Sequence, residues 1–410
     1  MIHTSNFELS VYPFNGDIAP AQIDRLQDLT ATPTSNREKI REVGRDGIVD
    51  WRQRIPSTTV TARQLEYGTL NFWRKVANVS DNETSIDLND FKTSMIDIVG
   101  YKTNDSGTFL GSVWYPKLRT SGFGINIGDT QANIERNFSF IGEDEIVLQG
   151  DNKYFNYKRG TVSGSGVQTV TIENPTPVAD PDNSGQYLFR VLRVIADGTT
   201  TELTYSSVQP TSGSDTYTYS AGTLTVYASA ATDIYKVYYS AGAYMTGLTP
   251  FTNNDTDAAT LVAENASIYL YVSANNYVYR LQSVAIDVSF DRSDYYEIGN
   301  KEVVQRGVND KTVRVTLGRI LEAYTVEEVL RGKAAGYGKL SIREYTDNTT
   351  LRVKLFGNSA KTSFNIGYKV TGLAPTSFDA SVPLNAYSQR NVTLESDNLT
   401  ISNSSATIDA

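Results

Sequence analysis

The residue types that most often do chemistry are scarce in this sequence. Its 410 residues include no cysteine and a single histidine, His3. Thiolate catalysis, disulfides and cysteine-ligated metals are excluded, and neither a histidine–carboxylate base nor a histidine metal site is expected. No GxSxG elbow or phosphate-binding loop is present: the glycine-rich stretch 163–167 lacks the lysine and the following helix that a phosphate loop needs. Asp180 and Asp182 could hold calcium, although exposed loop acid is the commoner use of such residues. The Asn-x-Ser/Thr triplets at Asn78, Asn348 and Asn391 follow from a composition rich in those residues. Tyr235, Tyr238 and Tyr239 could form a sugar platform, but a cross-strand aromatic pair plus core is the better reading. The sequence predicts no catalytic, cofactor-binding or metal site, and no enzyme.

What remains is contact chemistry. Two stretches, 36–56 and 291–311, carry dense charge of both signs and are too polar for a core. Each is long enough to reach a neighbouring ring or subunit, and Arg37, Glu42, Arg45, Arg292, Glu297, Lys301 and Arg306 are the candidate inter-ring contact residues. Mixed charge of this kind sets register between polar surfaces more than it adds affinity. Reversing Arg292, Lys301 and Arg306 to glutamate is then expected to weaken stacking while leaving the fold unchanged. The bland alternative is a pair of solvated surface loops.

These stretches sit inside a unit that occurs twice. Over 281–290, Leu281, Val284, Ile286, Val288 and Phe290 settle into the two-residue alternation of a half-buried strand. A second strand is expected over 312–320. A short helix follows from Thr325, with Glu327 and Glu328 in its first turn and Gly336 as a stop. An offset of 255 lays Arg25, Leu26 and Gln27 on Arg280, Leu281 and Gln282. It also lays Arg37 on Arg292, Glu42 on Glu297, and Gly44 on Gly299. Glu135-Arg136-Asn137 likewise parallels Gln389-Arg390-Asn391. Unbroken order over some fifty positions identifies a tandem duplication.

In the first copy a strand is expected over 57–65, a helix over 69–78, and strands near 95–99, 111–118, 138–141 and 145–149. In the second, 339–345 and 350–356 are expected to pair around a turn, followed by strands over 362–370, 378–384 and 391–394. The tail 400–410 reads as flexible or docked on a partner. Between the copies, 161–240 has short alternating strands and Gly-bearing turns, which suggests an inserted immunoglobulin-like sandwich. Flexible joints would let it project outward, so its deletion is expected to leave assembly intact. The 26 tyrosines and three methionines fit an all-β composition. A net charge of −9 gives no general attraction to nucleic acid or anionic membranes. No apolar run is long enough to span a membrane and no signal peptide opens the chain, so synthesis in the cytoplasm is expected.

The run 296–332, with its order of strand, charged loop, strand and short helix, resembles the tail tube proteins of long-tailed bacteriophages. The resemblance covers 280–398 and, through the internal match, 23–149 more weakly. It implies an all-β chain with short helices. Two tandem tail-tube β-sandwich/barrel folds, at 1–157 and 265–410, would flank the inserted sandwich at 158–264. Two folds per chain resemble the duplicated, T5-like minority of that family, in which three chains make a pseudo-hexameric ring. The implied role is a virion structural protein made in host cytoplasm. Its partners would be copies of itself stacked into a tube, other tail proteins at the tube ends, and DNA passing without specific binding. A baseplate or distal-tail ring protein is the alternative. A β-rich adhesin, with Tyr238 and Tyr239 as sugar contacts, stands further off.

Overall fold

The computed structural model describes the chain outside 1–6, 43–47, 105, 107, 129–131, 153, 173–176, 180–186, 244–259, 273–274, 279–280, 296, 298–302, 304, 321–324, 332–340, 342, 346–348 and 382–387. It is an all-β protein with short helices. The first copy runs β1 (Phe7–Pro13), β2 (Ala21–Gln22), β3 (Leu26–Thr34), β4 (Arg37–Ile40), β5 (Asp50–Gln53), β6 (Ser57–Leu65) and α1 (Asn71–Ala77). It continues through β7 (Ser85–Asp87), α2 (Asp90–Thr93), β8 (Ile96–Thr103), β9 (Phe109–Ile127), β10 (Glu135–Gly142) and β11 (Ile146–Leu148). Next come β12 (Tyr154–Thr161), β13 (Gly166–Thr171), β14 (Leu188–Val194), β15 (Thr200–Tyr205), β16 (Thr216–Ser220), β17 (Thr223–Ala228) and β18 (Ile234–Ala241). The second copy holds β19 (Ala266–Val272), β20 (Asn275–Val278), β21 (Leu281–Tyr295), β22 (Gln305–Ile320), α3 (Thr325–Leu330), β23 (Thr349–Phe356), β24 (Phe364–Ser381), β25 (Gln389–Ser396), β26 (Asn398–Ser402) and α4 (Ser405–Asp409).

The strand pairing repeats the duplication residue by residue. Leu29 pairs with Ala62 in β3–β6, and Val284, 255 positions on, pairs with Leu317 in β21–β22. Both pairings slip at the same place, between Leu26 and Asp28 and between Leu281 and Ser283. Phe138 lies between Ala62 and Phe123, as Val392 lies between Leu317 and Phe378. β9–β10 slips between Ser139 and Phe140, and β24–β25 between Pro375 and Ser377, again at matching positions. A bulge adds one residue to one strand and re-aims everything beyond it. Coincidence of bulges is therefore a stricter test of common descent than strand order.

Eight of these strands form one sheet in the order β3-β6-β10-β9-β21-β22-β25-β24, four from each copy. The join is β9 against β21, with Ile125 opposite Ile286 and Phe123 opposite Val288. Gly122 and Gly124 permit the close approach there: a Cβ on either would lie 2.6 Å from the Val288 carbonyl or the Asp287 carboxylate. The long strands β9 and β24 pass on into two further sheets, built by β1, β2, β8 and β11 in the first copy and by β19, β20, β23 and β26 in the second. β26 also pairs with β7, so among the described residues strand pairing joins the copies at two places. Between the layers lies one shared core. Trp73 of α1 packs against Phe91, Phe123, Phe138 and Tyr368, the last from the second copy.

Several expectations need correction. Much of 291–311 is not a loop: β21 continues to Tyr295 and β22 begins at Gln305. The strands expected over 362–370 and 378–384 are one strand, β24, to Ser381. Among the described residues of 339–345 none is a strand, and β23 pairs instead with β19 and β24. The tail is β26 and α4, docked on its own chain with Ile408 buried and Lys354 paired to Asp409 at 2.6 Å. Gly336 and the pair Asp180 and Asp182 lie outside the described residues. The middle segment is a seven-stranded sheet, β12-β18-β14-β15-β16-β17-β13, curled around its own apolar core, with one parallel pairing between β15 and β16.

Candidate assembly surfaces

The eight-stranded sheet has two unlike faces because its strands alternate strictly. In β6, Thr58, Val60, Ala62 and Gln64 are buried while Thr59, Thr61 and Arg63 are exposed. The open face is a field of polar and charged side chains. One row across it reads Asp28, Arg63, Asn137, Gly124, Asp287, Arg314, Glu395, each opposite the next. A second reads Thr30, Thr61, Ser139, Gly122, Ser289, Thr312. Arg63 pairs with Glu135 at 3.5 Å and Arg314 with Glu395 at 2.9 Å, so the arginine charge is offset in place. Asp28, Asp287 and Asp379 add negative charge. Partial desolvation against the sheet pushes the Asp287 carboxyl up from its ordinary value, and nearby Arg314 opposes the shift. A shallow cavity of about 420 Å³ lies over Gly122 and Gly124, where the floor lacks side chains.

The sheet also has two open edges. Among the described residues β3 pairs only with β6, and the last part of β24 only with β25. Pro33 leaves β3 one backbone N–H short, so any further strand added at this edge forms one ladder bond fewer there.

The charged stretches behave differently in the two copies. In the first, β4 and β5 form an isolated hairpin whose described side chains are exposed, including Arg37, Ile48, Val49 and Trp51. Arg54 pairs with Glu38 at 2.6 Å, and Lys39 lies 5.4 Å over the Trp51 ring. In the second copy the equivalent hairpin lies against the first copy of its own chain. Arg292 donates to the carbonyls of Thr120 (2.7 Å), Phe91 (3.0 Å) and Lys92 (3.1 Å). The Val303 N–H donates to Glu143 at 3.2 Å. Arg306 is largely buried and forms a two-point pair with Asp294. Glu42 and Glu297 are exposed, and Arg45 and Lys301 lie outside the described residues. Arg292 and Arg306 thus have structural partners, and the fold-neutral reversal is revised: the substitution is expected to destabilise the chain itself.

The seven-stranded module is held rather than tethered. Arg190 of β14 pairs with Asp97 of β8 at 2.6 Å, both buried, with the guanidinium 5.1 Å over Trp114. Arg159 meets Asp17 at 2.7 Å through two parallel hydrogen bonds. Tyr12, Val99, Tyr101 and Trp114 pack against Phe155, Tyr157, Leu192 and Tyr238 in one aromatic cluster. In the second copy, Tyr271, Arg352, Lys354 and Lys369 stand where Tyr12, Val99, Tyr101 and Trp114 stand in the first. The face that carries no module is charged; the face that carries it is apolar. Tyr235, Tyr238 and Tyr239 are fully buried, which removes them as sugar contacts.

Lys236 is buried in this junction and donates to the carbonyls of Pro13 (2.9 Å) and Phe14 (3.4 Å). Burial pushes its ammonium down to about 8 from the ordinary 10.5, against the pull of Asp17 and Asp97. The unfolded chain then binds more protons than the native one above that value, so this group's contribution to stability rises with pH. Melting curves should show a gain between about pH 8 and 10 that the Lys236→Met variant lacks. Equal pH slopes in both proteins would exclude the assignment.

No group of carboxylates or histidines with metal-binding spacing occurs among the described residues. No helix is long and apolar enough to cross a membrane.

No protein-family model matches the chain, and no curated protein matches it. Solved structures do align with about a third of it. The anti-feeding prophage cap, a tube-terminating cap, is 18% identical with a TM-score of 0.25, covering 33% of this chain and 86% of that one. A component of the anti-feeding prophage baseplate is 13% identical with a TM-score of 0.28, covering 35% and 95%. A chain of the sheath–tube complex of an extracellular contractile injection system is 17% identical with a TM-score of 0.25, covering 33% and 86%.

Proposed function

We propose that this protein is a structural, non-catalytic component of a phage-tail-like particle, and that its eight-stranded sheets join laterally into closed rings. The observation that carries the reading is the sheet itself: two copies already joined edge to edge, one face polar and open, and, among the described residues, one open strand edge at either end. Open edges of this kind are a liability unless covered, and ring closure by further copies abolishes them. Three chains would supply twenty-four strands. At about 4.8 Å per strand this gives a wall of about 115 Å and a backbone-to-backbone bore of about 37 Å before strand tilt. The polar face would line that bore. Its acidic surplus suits a passage through which DNA slides without sticking. Stacked rings would form the tube of a virion tail, with other tail proteins at its ends.

Electron microscopy of the purified protein tests this. Rings of three chains with a pseudo-sixfold outline, stacking into tubes, are the expected result. Rings that never stack would favour a baseplate or distal-tail ring, and a monomer at every concentration would overturn the proposal.

A further inference from the structure

The two copies repeat each other in register, yet the join between them occurs only once within the chain. On the first copy, the side that corresponds to the joined side of the second copy pairs with no further strand among the described residues. Ile401 is fully buried where β26 meets β7, whereas Val147, its counterpart in β11, is 58% exposed. Arg306 is buried at the inner join, whereas its counterpart Trp51 is 48% exposed. Val303 lies partly buried beside Glu143, whereas its counterpart Ile48 is exposed. Arg292 is latched to three carbonyls, whereas Arg37 points to solvent.

From this asymmetry we infer that the join between chains copies the join within the chain, with the second copy of one molecule seated against the first copy of another. This rests on the ring-forming reading above. The offset that maps β21 onto β3 and β9 onto β24 places Thr30 opposite Ser381, Ala31 opposite Ala380, Thr32 opposite Asp379 and Thr34 opposite Ser377. Arg37 donates to the Pro375 carbonyl of the neighbour, the counterpart of Thr120. The Ile48 N–H meets the neighbour's Asp397, which keeps the acid of Glu143. The acid–small pairing is retained with its sides exchanged: Asp287 faces Gly124 within the chain, and Asp379 faces Thr32 between chains. Because Ser377 and Asp379 replace Gly122 and Gly124, the outer join is set slightly wider than the inner one. On this reading the hairpin β4–β5 is a contact within a ring, not between rings.

The absence of native cysteine makes the register directly testable. β3 and β24 are the outermost strands of an eight-stranded sheet, so a disulfide between them within one chain is out of reach. Oxidised T32C/D379C, and the second in-register pair T30C/S381C, should give covalent multimers in high yield. T32C/A380C, slipped by one residue onto opposite faces, should give none. R37A should raise the concentration needed for half-assembly at least tenfold with an unchanged melting temperature, whereas R292A should lower the melting temperature of the chain itself. Rings in which neither in-register pair cross-links, or in which the slipped pair cross-links equally well, would overturn the outer join while leaving the ring reading intact. A cysteine-free parent that stays monomeric at all concentrations would overturn both.

Discussion

Glu66→Ala is expected to be among the most destabilising single substitutions in the chain, costing about 3–5 kcal/mol. Glu66 and Arg136 are both fully buried and pair at 3.2 Å, and Gln64 accepts from Arg136 at 2.7 Å. Tyr368, from the second copy, donates to the same carboxylate at 2.7 Å, and the Gly68 N–H donates at 2.8 Å. Removing the carboxylate leaves a guanidinium without its counter-ion in the core, and that uncompensated charge dominates the loss. Because Tyr368 lies on β24, the damage should cross from one copy to the other. Tyr368→Phe removes one bond to a charged acceptor and should cost about 1.5–3 kcal/mol. Denaturant unfolding of the two variants checks the order. A Glu66→Ala midpoint indistinguishable from the parent would show that the pair does not hold the copies together.

Asp97→Ala should have a loss of similar size, about 3–5 kcal/mol, confined to the junction with the seven-stranded module. The Asp97 carboxylate accepts from Arg190 at 2.6 Å and from the Lys117 N–H at 2.8 Å, so both oxygens are used. Among the described residues Arg190 then retains one acidic partner, Glu202, at 3.7 Å. Its guanidinium would then sit among Phe14, Trp114 and Tyr238 with one distant, half-exposed counter-charge. The module should loosen as a unit while the eight-stranded sheet persists. Limited proteolysis should release a fragment cut near its boundaries, and hydrogen exchange should rise in β8 and β14. Uniform destabilisation of the whole chain would show instead that module and sheet unfold together. By the same argument, deleting 161–240 exposes Tyr12, Val99, Tyr101 and Trp114, and an aggregating product is expected rather than a neutral deletion.

The duplication was legible in the sequence because strand registers are carried by local pattern. Alternation over 57–65 and 281–290 marks which side chains face inward, and a constant offset between copies transmits that pattern unchanged. The helix over 71–77 was legible for the same reason: Leu70, Trp73 and Val76 recur at helical spacing and all are buried. The expectation of no catalytic site rested on composition and motifs alone.

Other features depended on partners distant in the chain. Nothing local distinguishes 36–56 from 291–311, since both are charged and matched in order. The described side chains of one are exposed, and the other is latched because the first copy precedes the second and offers it Thr120, Phe91 and Lys92. Asp97 and Arg190, Glu66 and Tyr368, and Lys236 beneath Pro13 are likewise long-range pairs. Local sequence determined the inward and outward faces of strands such as β6 and β21 and the repeat that relates them. Which strands became edges, which charges were buried and what the inserted module covered were decided by tertiary packing, because burial depends on what arrives from elsewhere in the chain.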